Sequence, residues 1–65
     1  MGSRRTVQVG ERDGRWFAWT DDRLVMWFDT ESDARHWATL WSYRTRPAEA
    51  VLVDHGQVRE VICTY

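Results

Sequence analysis

The stretch TVQVGERDGRWFAWTDDRLVMWF, residues 6–28, decides the fold because it contains two turns that each fix how neighbouring strands pair. Asp13-Gly14 is a dipeptide strongly favoured in two-residue hairpin turns. A three-residue polar turn follows at residues 21–23, before a short apolar run. We therefore predict three consecutive strands, over residues 6–11, 15–20 and 24–28.

The two turns also sort the side chains onto two faces, since successive residues of a strand point to opposite sides of the sheet. The first turn pairs Gly10 with Phe17, where the missing glycine side chain leaves room for the ring to lie across the strand. Both turns predict the same division. One face carries Val7, Val9, Trp16, Ala18, Met26 and Phe28, and the other carries Phe17, Trp19, Val25 and Trp27.

A helix is predicted over residues 31–44. Thr30 is suited to cap its first turn, and Pro47 stands just beyond its end, where the chain cannot continue as a helix. One side of this helix is apolar at spacings of three and four residues and should lie on the sheet. Its members are Ala34, Trp37, Ala38 and Trp41, with Leu40 broadening the stripe.

Residues 48–54 and 57–65 are predicted to form a closing hairpin around His55-Gly56. Both sides of this hairpin are apolar, so the sequence leaves open which side faces the helix. One side would carry Val51, Val53, Val58 and Ile62, and the other Ala50, Leu52, Val61 and Cys63.

The predicted fold class is α+β, with a single helix packed on one face of a five-stranded, largely antiparallel sheet in the order βββαββ. The domain should cover residues 6–65, after a flexible N-terminus at residues 1–5. A chain of 65 residues buries little surface, and with one cysteine it has no internal disulfide, so association with another chain is expected.

Composition and charge indicate the kind of genome that encodes the protein and the kinds of partner that it attracts. All nine basic residues are arginine, and lysine and asparagine are absent, a bias typical of high-GC bacterial genomes and their phages. The net charge is −1, which gives no general attraction to nucleic acid or anionic lipid. No apolar run is long enough for a membrane span or a secretion signal, so we expect a cytoplasmic protein without membrane contact.

The order of these signals resembles a family of small bacterial domains of unknown function, and the resemblance covers nearly the whole chain. The motifs that carry it are Gly14-Arg15-Trp16, Phe28-Asp29-Thr30, Ala34 with Ala38, and Gly56-Gln57-Val58-Arg59-Glu60. The resemblance implies the order βββαββ, with Trp16 and Phe28 beneath the helix, and it implies no activity. Phe17, Trp19 and Trp27 stand where such domains are usually more polar, so we expect any function particular to this chain there.

Five tryptophans are more than one helix can cover, and this predicts an exposed aromatic face that binds protein. Partner-binding roles follow from residue type: Phe17, Trp19 and Trp27 as apolar anchors, Val25 as filler, and Arg15 and Arg23 as a polar rim. The partner is predicted to be a second copy, giving a homodimer, or another protein. In a phage, it would be a host protein that this small chain inhibits.

Two alternatives stay open for the same aromatic face. The two halves of the chain, or a loop, could cover the rings internally. Bases of single-stranded nucleic acid could instead stack on the rings, although the net charge argues against this. Its basic rim would be formed by Arg4, Arg5, Arg15, Arg23 and Arg59.

The sequence predicts no enzyme, metal or cofactor. Cys63, His36, His55 and Asp54 match no spacing of a nucleophile with its base, and Cys63 is expected to be a small buried apolar group. Two histidines and one cysteine lack the spacing of a zinc site. The acidic residues Asp29, Glu31 and Asp33 are explained by the start of the helix rather than by calcium.

Overall fold

The computed structural model describes residues 4–65 and contains five strands and one helix in the predicted order. The elements are β1 (Arg5–Arg12), β2 (Arg15–Thr20), β3 (Val25–Phe28), α1 (Glu31–Arg44), β4 (Ala48–Asp54) and β5 (Gln57–Thr64). Every boundary lies within one residue of its prediction. The expected flexible start falls partly on residues 1–3, outside the described residues, and Arg5 already belongs to β1.

The strands form one sheet in the order β3-β2-β1-β4-β5. β1 and β4 are parallel, and the other three neighbouring pairs are antiparallel, so the sheet is mixed and largely antiparallel. The parallel pair arises because α1 carries the chain from the β3 edge back to the middle of the sheet. The α+β class and the βββαββ order are confirmed.

The predicted registers of the first three strands are confirmed as well. Val9 is paired with Ala18, Gly10 with Phe17, and Phe17 in turn with Trp27. Both residues of the first turn, Asp13 and Gly14, have positive φ angles of 54° and 81°. This is the geometry that a tight two-residue hairpin turn requires, and it explains why the turn fixes the register.

The core lies between α1 and one face of the sheet, and only small side chains are fully enclosed in it. Trp16 and Phe28 are half-buried at its margin, together with Trp37 and Trp41 of the helix. The buried apolar side chains on the helix side are Val7, Val9, Ala18, Ala34, Ala38, Ala48 and Ala50, and Val51 is buried on the opposite side of the sheet.

Leu40 does not broaden the buried stripe as predicted, since it is 42% exposed. The buried line of α1 runs through Ala34, Ala38 and Ser42, one residue in every four. Two residues along a helix correspond to a rotation of about 200°. Leu40 is two residues past Ala38 and therefore points away from the sheet.

The closing hairpin places Ala50 and Leu52 on the helix side, where they pack against the core. The predicted division of β5 is wrong, because two register shifts interrupt its pairing with β4. Val61 is opposite Val51 and thus on the side away from the helix, whereas Ile62 packs against the core. An irregularity of this kind adds a residue to one strand and changes which side chains share a face.

Arg35 ties the helix to the edge strand β5. Its Nη1 and Nη2 atoms donate to the two carboxylate oxygens of Glu60 at 2.9 and 2.7 Å, and its Nε donates to Glu31 at 2.6 Å. The hydrogen bonds from Arg35 hold the pKa of Glu60 below its ordinary value. The paired form of Glu60 is therefore the charged form, and this contact stabilises the folded chain.

Replacing Glu60 with glutamine should lower the free energy of unfolding at neutral pH. The pKa of Glu60 is lowered in the folded chain, so its contribution is complete above the ordinary value of 4.5 and is lost as the pH falls through the lowered value. The difference between wild type and E60Q should therefore shrink in acid. Urea unfolding between about pH 7 and pH 3 measures it.

The R35Q background is the control for this pH effect. E60Q should have little further effect there, because the donor is already gone. A pH-independent difference between wild type and E60Q would contradict the assigned ion pair.

Candidate interaction surface

The side of the sheet opposite α1 carries two rows of side chains that cross all five strands. The strand registers place the first row, and the close approach of Gly10 to both Phe17 and Val53 places the second. We call these ten residues the open face. The first row is Val25, Trp19, Gln8, Val51 and Val61, and the second is Trp27, Phe17, Gly10, Val53 and Val58.

The open face is apolar and largely uncovered. Trp19 is 47% exposed and Trp27 is 44% exposed, although both are among the largest side chains in the protein. Val25, Val58 and Val61 are also exposed, and Gln8 is the only polar side chain of the ten. Among residues 4–65, neither a loop nor the other half of the chain fully covers the two tryptophans, and of the aromatic anchors only Phe17 is half-buried by internal packing.

Phe17 joins the aromatic half of the open face to its valine half. Its ring lies across Gly10, so that a Cβ atom at residue 10 would be 2.7 Å from Phe17 Cζ and 3.3 Å from Val53 Cγ2. On its other side the ring meets Trp27 edge to face, with centroids 5.9 Å apart. Phe17 is consequently half-buried, and it is less exposed than Trp19 and Trp27. Its ring packs against Trp27 and so helps to hold that side chain in place.

Replacing Gly10 with alanine should destabilise the chain by about 1 kcal/mol, because the new methyl group would displace the Phe17 ring. Urea unfolding measures the loss. The F17L background is the control. Leucine leaves more room at residue 10, so G10A should lower the free energy of unfolding by less there than in wild type. Equal costs in both backgrounds would contradict the contact between Gly10 and the ring.

Three arginines border the aromatic half. The guanidinium carbon of Arg15 lies 5.1 Å from the centroid of a Trp27 ring, a distance at which a cation and an aromatic face attract. Arg23 lies beside Trp19 and Gln8. Arg12 lines one shallow groove of about 300 Å³ together with Phe17, Trp19, Val25 and Trp27. None of the three arginines has a carboxylate within 4.0 Å among residues 4–65.

Arg12 is the residue that sequence reasoning missed. It stands two positions after Gly10 and opposite Arg15, so the predicted register already placed it on the same side of the sheet as the open face. The register is the signal that places Arg12, but the predicted strand ends at residue 11, because Arg12 adjoins the turn.

Two of the five arginines predicted for a wider basic rim, Arg5 and Arg59, lie beside carboxylates. Arg5 lies on the helix side, 5.0 Å from the centroid of a Trp41 ring, and pairs with Asp21 at 3.0 Å and Asp22 at 3.2 Å. The Thr20 hydroxyl and then Arg5 hold the pKa of Asp22 below its ordinary value. Arg59 lies near Asp54, with 3.7 Å between Nε and Oδ2.

The described chain shows no cluster of groups suited to metal binding. Residues 4–65 contain no group of three or more histidine, cysteine, aspartate or glutamate side chains that could hold an ion. Cys63 is half-buried against the core, and His36 and His55 are exposed. Within the same residues, no helix is long and apolar enough to cross a membrane.

No protein-family model matches the chain, and no significant match is found among curated proteins or solved structures. The resemblance to small bacterial domains stays a prediction from its motifs.

Proposed function

We propose that this chain is a protein-interaction module and that the open face is its binding surface. The observation that carries the proposal is the exposure of Trp19 and Trp27, side by side on a sheet that is covered by a helix on its other face only. Contiguous exposed apolar surface of this kind is typical of binding sites on small proteins.

The size of the two tryptophans supports this role. A tryptophan side chain can bury about 200 Å² or more, so Trp19 and Trp27 each leave about 100 Å² for a partner to cover. At about 25 cal/mol per Å², covering both would contribute about 5 kcal/mol before the costs of association. Trp19 and Trp27 are therefore the proposed anchors, with Val25 filling the space beside them.

The arginines give the apolar centre a polar border. Arg15 is held against Trp27, while Arg12 and Arg23 flank the groove and the region beside Trp19. An apolar centre with a charged border is the usual arrangement of a protein interface. Charged groups at such a border orient the partner and raise the association rate more than they raise the affinity.

Replacing Trp19 and Trp27 together with serine should abolish binding through the open face. Both side chains lie on the side of the sheet away from α1, so helix content by circular dichroism should be retained. Sedimentation measures self-association, and capture from a host lysate measures binding to other proteins. Leu40→Ser is the matched control, because it removes an exposed apolar side chain from the opposite side of the molecule. Unchanged sedimentation and unchanged capture in W19S/W27S would refute the proposal.

A second candidate function is binding of single-stranded nucleic acid to the same face. It is favoured by the three arginines that lie beside exposed rings without a carboxylate partner in the described chain. Titration of an oligothymidylate, followed by tryptophan fluorescence, tests it. The protein-interaction proposal expects no binding even at low salt. Binding that weakens steeply with salt would favour the nucleic-acid candidate instead.

A further inference from the structure

We infer that the occupant of the open face is a second copy of this chain, packed face to face about a twofold axis that runs parallel to β1 and passes over Gln8. The inference rests on the proposed function, since it names the partner of the same surface. Four features of the described residues lead to it.

The first feature is the small core of a single copy. Every buried apolar side chain is valine or alanine, and none of the five tryptophans is fully buried. A chain of 65 residues without a disulfide has few other sources of stability. A second copy would place another layer on the uncovered side of the sheet, as in a two-sheet sandwich.

The second feature is the position of β1 as the middle strand of five. A twofold axis along β1 lays β2 and β3 of one copy over β4 and β5 of the other. Large rings would then meet small side chains: Trp19 would face Val51 of the second copy, and Trp27 would face its Val58. Such alternation of large and small groups allows close packing between two layers.

An axis across the strands would give a poorer match. It would lay β3 over β3 and β2 over β2, so that tryptophans would oppose tryptophans and valines would oppose valines. Bulky groups would hold the two sheets apart on one side and leave a gap on the other.

The third feature is Gln8 at the centre of the open face. A lone polar side chain buried in an apolar interface is costly unless it has a hydrogen-bond partner. On the proposed axis Gln8 meets its own symmetry mate. A side-chain amide both donates and accepts, so two glutamines can satisfy each other.

The fourth feature is the charge at one end of the sheet. Arg23 lies in the turn between β2 and β3, and Glu49 lies at the start of β4, at the same end. Neither has an ion partner within 4.0 Å among residues 4–65. The axis along β1 brings Arg23 of each copy near Glu49 of the other, which gives two ion pairs per dimer.

The size of the face sets the expected affinity. Five strands about 4.8 Å apart and roughly 20 Å long give a footprint of about 500 Å² per copy. Two copies would bury about 1,000 Å², which is near the lower limit for a specific interface. We therefore expect a reversible dimer with a dissociation constant on the order of micromolar rather than nanomolar.

Sedimentation equilibrium of the purified chain, from about 1 to 500 μM, spans this range. The wild type should pass from monomer to dimer. Gln8→Glu should weaken the dimer about tenfold or more at neutral pH, because two carboxylates would meet at the axis. Gln57→Glu is the matched control: it makes the same change at an exposed end of β5 outside the open face and should leave the dissociation constant within about twofold.

A charge exchange tests the orientation. Arg23→Asp and Glu49→Arg should each weaken the dimer about fivefold to tenfold, and the double variant should recover to within about threefold of wild type. Aspartate is chosen because Arg23 has a φ angle of 70°, which aspartate tolerates better than most residues. Circular dichroism checks that each variant keeps its fold.

The outcomes separate the inference from the proposed function. A wild type that stays monomeric throughout overturns the inference, and so does a dimer that Gln8→Glu and the charge exchange leave unchanged. The proposed function survives either result if W19S/W27S still abolishes association or capture. If W19S/W27S changes neither, both fail.

Discussion

One helix covers one face of a five-stranded sheet whose two faces are both apolar, and the rest of the structure depends on this constraint. Two tight turns fix the registers of β1, β2 and β3, and the strand period of two then divides the aromatic residues between the faces. Trp16 and Phe28 lie at the margin of the core beneath α1. Trp19 and Trp27 must lie on the other side, where residues 4–65 leave almost half of each side chain uncovered.

The topology then makes the open face continuous. Because α1 returns the chain to the middle of the sheet, β4 lies next to β1 and extends the aromatic half with valines. Gly10 is the position where the two halves meet, since only a residue without a side chain lets the Phe17 ring reach Val53. The aromatic half therefore reaches from the β3 edge to β1, and the valine half from β4 to the β5 edge.

Local signals predicted the elements, the class and the division of the first three strands, because turn length and residue spacing act over a few residues. They failed where the outcome depends on distant contacts. Two register shifts in β5 moved Val61 to the open face and Ile62 to the core, and no residue type marks those shifts. The candidate anchors followed from the register alone. The contact of Arg35 with Glu60, 25 residues away, could not be predicted from spacing.

The proposed function makes stability and binding properties of the same surface. Trp19 and Trp27 contribute less to the single chain than buried rings would, because almost half of each side chain remains in water. Any partner that covers them binds the folded state only, and so it stabilises the fold by mass action. Under the proposed function, a partner would add the burial of the exposed part of each tryptophan to the part that the single chain already buries. The exposed part of each ring adds nothing to the fold of one copy, and this exposed part is the surface that the proposed function assigns to a partner.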